Sequence, residues 1–131
     1  MNCSVLVVDD EFEIRQLLTT MLTMMGYQSF MAQDGVDALE KIAEYQPDIL
    51  ILDVMMPRMD GLTLCRKLRE AADTAELPII MLSGKAHQEA IQEGLKAGAN
   101  RYLVKPTGLD ELTRNITEVL GEAAVSKKIE A

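Results

Sequence analysis

The sequence predicts an open, doubly wound α/β sheet, and three observations predict it. Five short apolar runs alternate with five longer amphipathic stretches along 131 residues. Three of those runs, Val5-Leu6-Val7-Val8, Ile49-Leu50-Ile51-Leu52 and Ile79-Ile80-Met81-Leu82, are apolar at every position. A strand covered on both faces, as in a parallel sheet, requires that pattern. Strands alternating with helices of this length make repeated βαβ units, whose right-handed crossovers place helices on both faces. Five such units are too few to close an eightfold barrel, so the sheet stays open.

The elements follow in order. The first strand is Cys3–Val8, and the helix after it carries a stripe of Ile14, Leu17, Leu18, Met21, Leu22 and Met25 at three-, four- and seven-residue spacing. The second strand is Tyr27–Ala32. Ala38, Leu39, Ile42 and Ala43 mark the second helix, with Asp34 as its N-cap and Pro47 closing its exit. Asp48–Leu52 is the third strand, and Leu64 and Leu68 mark a helix after the Asp60-Gly61 turn. Leu77–Leu82 is the fourth strand; Ala90, Ile91 and Leu95 mark the next helix, which Gly98 stops at a C-cap position. Arg101–Val104 is the least apolar run and suits an edge, and Leu109, Leu112, Ile116, Val119 and Leu120 give the last helix. From Ala123 to Ala131 the apolar periodicity is lost. One domain over residues 1–122 is therefore expected, followed by a tail or linker, or a fraying helix end, over 123–131.

The chain is long enough for one sizeable core. Its net charge of −8 and pI near 4.6 argue against a nucleic-acid backbone as a direct partner. No apolar run approaches the roughly 20 residues that span a bilayer. The N-terminal apolar run is only Val5–Val8 and leads into two acids, unlike a signal peptide. Cys3 and Cys65 are too few for a disulfide framework or zinc site and read as small core residues of a reducing, cytoplasmic compartment. The methionines Met21, Met24, Met25, Met55, Met56 and Met59 read as core and loop filler. His87 reads as a solvent-facing residue at a helix start.

The strand ends carry the chemistry. In this topology the ligand site lies outside the carboxyl ends of the central strands. The first strand ends in Asp9-Asp10, the third in Asp53, the fourth in Ser83 and the fifth in Lys105-Pro106. Singly, each acid or hydroxyl could be a helix cap or turn residue, and the lysine a solvated charge. Together they are costly, because two like charges about 4 Å apart at an effective dielectric of about 20 repel by about 4 kcal/mol. One lysine cannot offset three carboxylates. A hard divalent cation such as Mg²⁺ suits that donor set. With the cation bound, an Asp oxygen can attack a phosphoryl group in line while Lys105 and the Ser83 hydroxyl hold the other phosphoryl oxygens. Asp53, at the end of a central strand, is the best-placed nucleophile, and its product is an aspartyl phosphate.

With these motifs in place, the sequence resembles the response-regulator receiver family of two-component signalling over Ser4 to Leu120. The segments that carry the resemblance are Val7-Val8-Asp9-Asp10-Glu11, Leu52-Asp53-Val54-Met55-Met56-Pro57, Met59-Asp60-Gly61, Leu82-Ser83-Gly84, Gly98-Ala99 and Lys105-Pro106. The resemblance implies a flavodoxin-like (βα)5 fold with strand order 2-1-3-4-5. It implies phosphorylation on Asp53 by a histidine kinase or histidine phosphotransfer protein, with Mg²⁺ held directly by Asp10, Asp53 and the Met55 carbonyl, and by Asp9 through water. Ser83 and Lys105 then grip the phosphoryl oxygens, Ser83 shifts toward the phosphate, and Tyr102 turns inward behind it. That switch signals an output partner or domain through the face of the fourth helix, fifth strand and fifth helix. The Lys105-Pro106 bond is expected to be cis. Such a domain catalyses only its own phosphorylation and dephosphorylation, and it is expected to be a monomer or weak homodimer with no direct nucleic-acid or membrane contact. The first helix around Ile14 and Leu17 is a docking place for a kinase helix.

The chain departs from many DNA-binding relatives, which carry Gly-Ala-Asp-Asp-Tyr before the lysine and Phe after the proline. Here those segments are Gly98-Ala99-Asn100-Arg101-Tyr102 and Lys105-Pro106-Thr107. That change removes the basis for charge-paired dimerisation. Met55 and Lys85 stand where the family tunes dephosphorylation, and Met cannot position a water by hydrogen bonding, which implies a phosphorylated state that is not unusually short-lived. Among alternatives, a haloacid-dehalogenase-type phosphatase needs a second Asp two residues after the nucleophile, where Met55 stands. A pseudo-receiver interaction module would lack the intact Asp9, Asp10, Asp53, Ser83 and Lys105 set. An FMN site is opposed by the acids after the first strand, and nucleotide-binding glycine motifs are absent.

Overall fold

Alternation along each apolar strand sends neighbouring side chains to opposite faces, so a run with no polar residue must be sandwiched. The computed structural model of the chain shows that sandwich; it describes residues 3–56 and 59–130, with side chains through 123. The elements are β1 (Ser4–Val8), α1 (Phe12–Met24), β2 (Gln28–Ala32), α2 (Gly35–Tyr45), β3 (Ile49–Asp53), α3 (Gly61–Glu70), β4 (Ile79–Ser83), α4 (Gln88–Ala97), β5 (Arg101–Val104) and α5 (Leu109–Glu130). All strand pairs are parallel and the order is β2-β1-β3-β4-β5, so the expected flavodoxin-like fold and the edge position of the fifth strand are both found.

Two cores result. Leu6, Val8, Leu50, Leu52, Ile79 and Met81 face one way, against Ala38, Ile42, Leu64, Cys65, Leu68 and Ala97 from α2, α3 and α4. Val5, Val7, Ile49, Ile51, Ile80, Leu82 and Leu103 face the other, against Leu18, Leu22, Leu112, Ile116 and Val119 from α1 and α5. The registers Val5↔Ile49 and Ile51↔Ile80 bring the strands together with their carboxyl ends at one rim.

The expected caps at Asp34 and Gly98 form, and Asp60, read from the sequence only as part of a turn, caps a helix as well. Asp34 accepts the Asp37 amide at 2.9 Å to start α2, and Asp60 accepts the Thr63 amide at 2.8 Å to start α3. Gly98 ends α4 at φ 118°, a conformation that favours glycine. The helical stripes are narrower than the sequence suggests. Leu17, Leu39, Ala43 and Leu95 are exposed, and Met24 is 80% exposed rather than core. Each helix here lies on one face of a sheet, and only about 100° of its circumference meets that surface. Cys65 is fully buried and Cys3 only partly. Helix α5 continues to Glu130, through the residues whose periodicity fails. Pro57, in the segment after Asp53, lies outside the described residues.

Candidate functional site

Each chemical group at the carboxyl rim is held by a local feature of its own strand end. Asp9 follows β1, with its amide donating to the Ala32 carbonyl at 3.2 Å. Its carboxylate is buried, and each oxygen accepts one hydrogen bond. Oδ1 accepts the Glu11 amide at 2.9 Å, and Oδ2 accepts Lys105 Nζ at 3.0 Å. The Asp9 carbonyl accepts Arg15 Nη1 at 2.6 Å, so α1 anchors the loop that presents the acids. Asp10, one residue on, is exposed at the mouth of the site. One carboxylate oxygen each from Asp9, Asp10 and Asp53 lies within 4.8 Å of the other two.

Asp53 is the last residue of β3, flanked by β1 and β4, and it is 6% exposed. Its Oδ1 accepts the Met55 amide at 3.3 Å and lies 3.6 Å from Lys105 Nζ. Gly61 makes this strand end possible. Its amide donates to the Val54 carbonyl at 2.9 Å, and a Cβ there would run into the Asp53 carbonyl oxygen. Ser83 ends β4, buried, with Oγ accepting the Lys85 amide at 3.2 Å. The Lys105 amide donates to the Ser83 carbonyl at 2.7 Å, which aligns the ends of β4 and β5, and the Lys105-Pro106 bond is cis as expected. Tyr102, on β5, donates its hydroxyl to the Lys85 carbonyl at 2.9 Å. His87 is exposed and caps α4, its Nδ1 accepting the Ala90 amide at 3.2 Å.

The electrostatics record an incomplete balance. Burial raises the Asp53 carboxyl, and the charges of Asp9 and Asp10 push the same way; Lys105 and the Met55 amide oppose them, leaving it at about 6. Burial of Lys105 favours its neutral form, but its hydrogen bond to Asp9 and the charges of Asp53, Asp9 and Glu11 outweigh that and hold it above the ordinary lysine range. A set of oxygen-only donors, converging within 4.8 Å, is the donor type that a small hard cation prefers.

The predicted residues Asp9, Asp10, Asp53, Ser83 and Lys105 thus meet at one rim, with the Met55 backbone beside Asp53. Sequence reasoning had no signal for Arg15, which looks like any solvated helix residue, and read Gly61 only as part of a turn.

The family model for the response regulator receiver domain matches residues 5–117. The chain belongs to that family. It is a receiver domain of a two-component response regulator, a signalling domain rather than a member of a catalytic enzyme family. Among curated proteins, the response regulator MprA of Mycobacterium ulcerans is 46% identical over 120 residues, covering 92% of this chain and 51% of that protein. The chain therefore spans about half the length of the curated relatives it matches. Among solved structures, the chemotaxis protein CheY4 of Vibrio cholerae has a TM-score of 0.85 at 35% identity, covering 91% of this chain and 99% of that one. NtrX of Brucella abortus has a TM-score of 0.91 at 30% identity, covering 99% of this chain and 30% of that one. Among the described residues, no helix of this receiver domain is long and apolar enough to cross a membrane.

Proposed function

We propose that this receiver domain takes a phosphoryl group onto Asp53 and relays its presence to a partner. The observation that carries the reading is the setting of Asp53. It is a buried strand-end carboxylate that titrates near 6, with Asp9 and Asp10 on one side and Lys105 3.6 Å away. In the reaction an Asp53 oxygen attacks the phosphorus of a phosphohistidine on a histidine kinase or phosphotransfer protein. The new P–O bond forms as the P–N bond breaks, and the imidazole leaves with a proton. Mg²⁺, when bound, supplies the positive charge that the phosphoryl oxygens require.

The chain's own groups divide the remaining work. Asp10 is exposed and open, whereas both Asp9 oxygens are already engaged; that supports Asp10 and Asp53 as direct ligands, with the Met55 carbonyl, and Asp9 as a ligand through water. Lys105 is held by Asp9 at 3.0 Å and lies 3.6 Å from Asp53, which suits it to a phosphoryl oxygen there, and Ser83 at the end of β4 is the hydroxyl donor assigned to another. Ser83 and Tyr102 form the switch, acting on α4, β5 and α5 to signal an output domain or partner. Nothing acidic stands at position 55, which speaks against a phosphatase that would use Asp53 as nucleophile. We place the domain in the cytoplasm, as a monomer or weak homodimer without direct contact to nucleic acid or membrane. Its working unit is residues 1–122, with 123–131 as a C-terminal tail or linker.

Incubation with Mg²⁺ and acetyl phosphate, read by intact mass, tests the assignment. One added phosphoryl group is expected, lost in Asp53→Ala and lost with a chelator. Equal labelling of the variant would sink the assignment.

A further inference from the structure

Gly94 lies in the interior of α4, where glycine is a poor choice: alanine would favour the helix about fivefold. The reason for it lies across the interface. The register Met81↔Tyr102 puts these two side chains side by side on the face that α4 covers. A Cβ on Gly94 would stand 2.7 Å from Tyr102 Cδ2 and 2.8 Å from Met81 Sδ. The Tyr102 ring therefore occupies the space that any side chain at position 94 would claim. From that seat its hydroxyl reaches the Lys85 carbonyl at 2.9 Å, while the Lys85 amide donates to Ser83 Oγ at 3.2 Å. Lys85 is thus held from both sides, by Ser83 at the rim and by the seated ring.

We infer that Gly94 sets the conformational balance of Tyr102: the missing side chain is the seat, and residue 94 decides whether the ring can occupy it. The ring cannot keep this seat with a Cβ in place unless α4 lifts, because the same Cβ would also press on the buried Met81 beside it. Adding one methyl group at Gly94 unseats the ring and frees the Lys85 carbonyl. The seat is a property of the fold; its consequence for signalling rests on the proposed switch.

The test uses the full chain with 3-fluorotyrosine at its tyrosines, the Tyr102 line being assigned by its loss in Tyr102→Phe. Solvent isotope shifts of that ¹⁹F line report ring exposure, first without additives and then with Mg²⁺ and beryllofluoride. In the parent chain the line is expected to be shielded when beryllofluoride is bound. In Gly94→Ala it is expected to stay solvent-exposed, with the seated fraction at least tenfold lower. Acetyl phosphate labelling of Asp53 is expected within about twofold of the parent. A shielded ring in Gly94→Ala would overturn the inference. If Gly94→Ala alone does not fold, Gly94→Ala/Tyr102→Ala decides. With the ring removed, the Met81 thioether can move into the vacated space, so the double variant should fold at least as well as Tyr102→Ala alone, with a gain of up to about fivefold in the folding constant. A double variant that is less stable than Tyr102→Ala, or that also fails to fold, would assign the clash to Met81 and refute the role of the ring. Failure of the parent chain to gain phosphoryl mass would strike the proposed function and leave the Gly94 comparison readable without additives.

Discussion

At the amino-terminal rim of the sheet, Asp48 accepts the Ser4 amide at 2.8 Å and the Ser4 hydroxyl at 3.3 Å, and the Ser4 hydroxyl accepts the Asp48 amide at 3.2 Å. Nearby, Arg69 spreads its guanidinium over four oxygens: Nε to the Gly98 carbonyl at 3.0 Å, Nη1 to those of Thr74 and Ala75 at 3.3 Å, and Nη2 to Asn100 Oδ1 at 3.1 Å. Asn100 Oδ1 also accepts the Ile79 amide at 2.8 Å. At the carboxyl-terminal rim, Asp9, Asp10 and Asp53 converge on a single lysine, and Asp53 holds its proton up to about pH 6. Charged groups at one rim are spent on closing the fold. At the other, three carboxylates crowd one lysine, a shortage of positive charge that a bound cation would relieve. Crowding of like charges, rather than the presence of charge, separates the carboxyl-terminal rim from the amino-terminal one.

If that contrast is right, removing a charge should have opposite signs at the two rims. The largest effect is expected for Arg69→Ala. Losing a charged donor to three carbonyls and Asn100 should cost about 3 kcal/mol, softened where those carbonyls can reach water. Urea unfolding measures it, and acetyl phosphate labelling of Asp53 should stay within a few-fold of the parent. A neutral Arg69→Ala would mean that the staple is ornamental and would erase the difference between the rims.

At the other rim, Asp53→Asn is expected to stabilise the fold by about 2 kcal/mol at pH 7.5, since the ionised carboxylate is the disfavoured form. The sign follows from the protons bound. An unfolded Asp53 titrates near its ordinary 3.8 and the folded one near 6, so between those values the native state holds the extra proton. The parent chain therefore loses stability as pH rises from about 4 to about 6, and the advantage of Asp53→Asn should grow over that window and be absent below it. Mg²⁺ should shrink the advantage at pH 7.5 by binding the native parent more tightly than the variant. Thermal unfolding at a series of pH values checks all three. A variant gain that is flat with pH would assign the stabilisation to something other than the Asp53 charge.

The fold was legible because the three apolar runs leave no face for solvent, and their spacing admits few topologies. The site was legible because strand ends are predictable once strands are, so Asp9, Asp10, Asp53, Ser83 and Lys105 could be placed at one rim from their positions alone. What escaped the sequence depends on contacts between distant elements. Gly94 matters through Tyr102, Gly61 through the Asp53 carbonyl, and Arg69 through carbonyls of three separate residues. Helix stripes were overdrawn for a related reason. Leu17 and Leu95 keep the helical spacing of core residues yet are exposed, and periodicity carries no record of how much of a helix's circumference the sheet covers.

The smallest effect, and the finest probe of the comparison, is expected at Asp48. Its carboxylate is exposed, so water can replace the Ser4 donors when it is removed. Asp48→Ala should therefore cost about 1 kcal/mol, near the net value of one hydrogen bond to a charged group at a surface. Urea unfolding at pH 7.5 measures it beside Asp53→Asn. Removing one carboxylate from each rim thus gives stability changes of opposite sign under one set of conditions. A Ser4→Ala change should reproduce part of the Asp48 loss, and the double variant should cost less than the sum, since the two side chains share one set of bonds. Full additivity would show that Ser4 and Asp48 act separately, and that the amino-terminal rim is less closed than its geometry indicates.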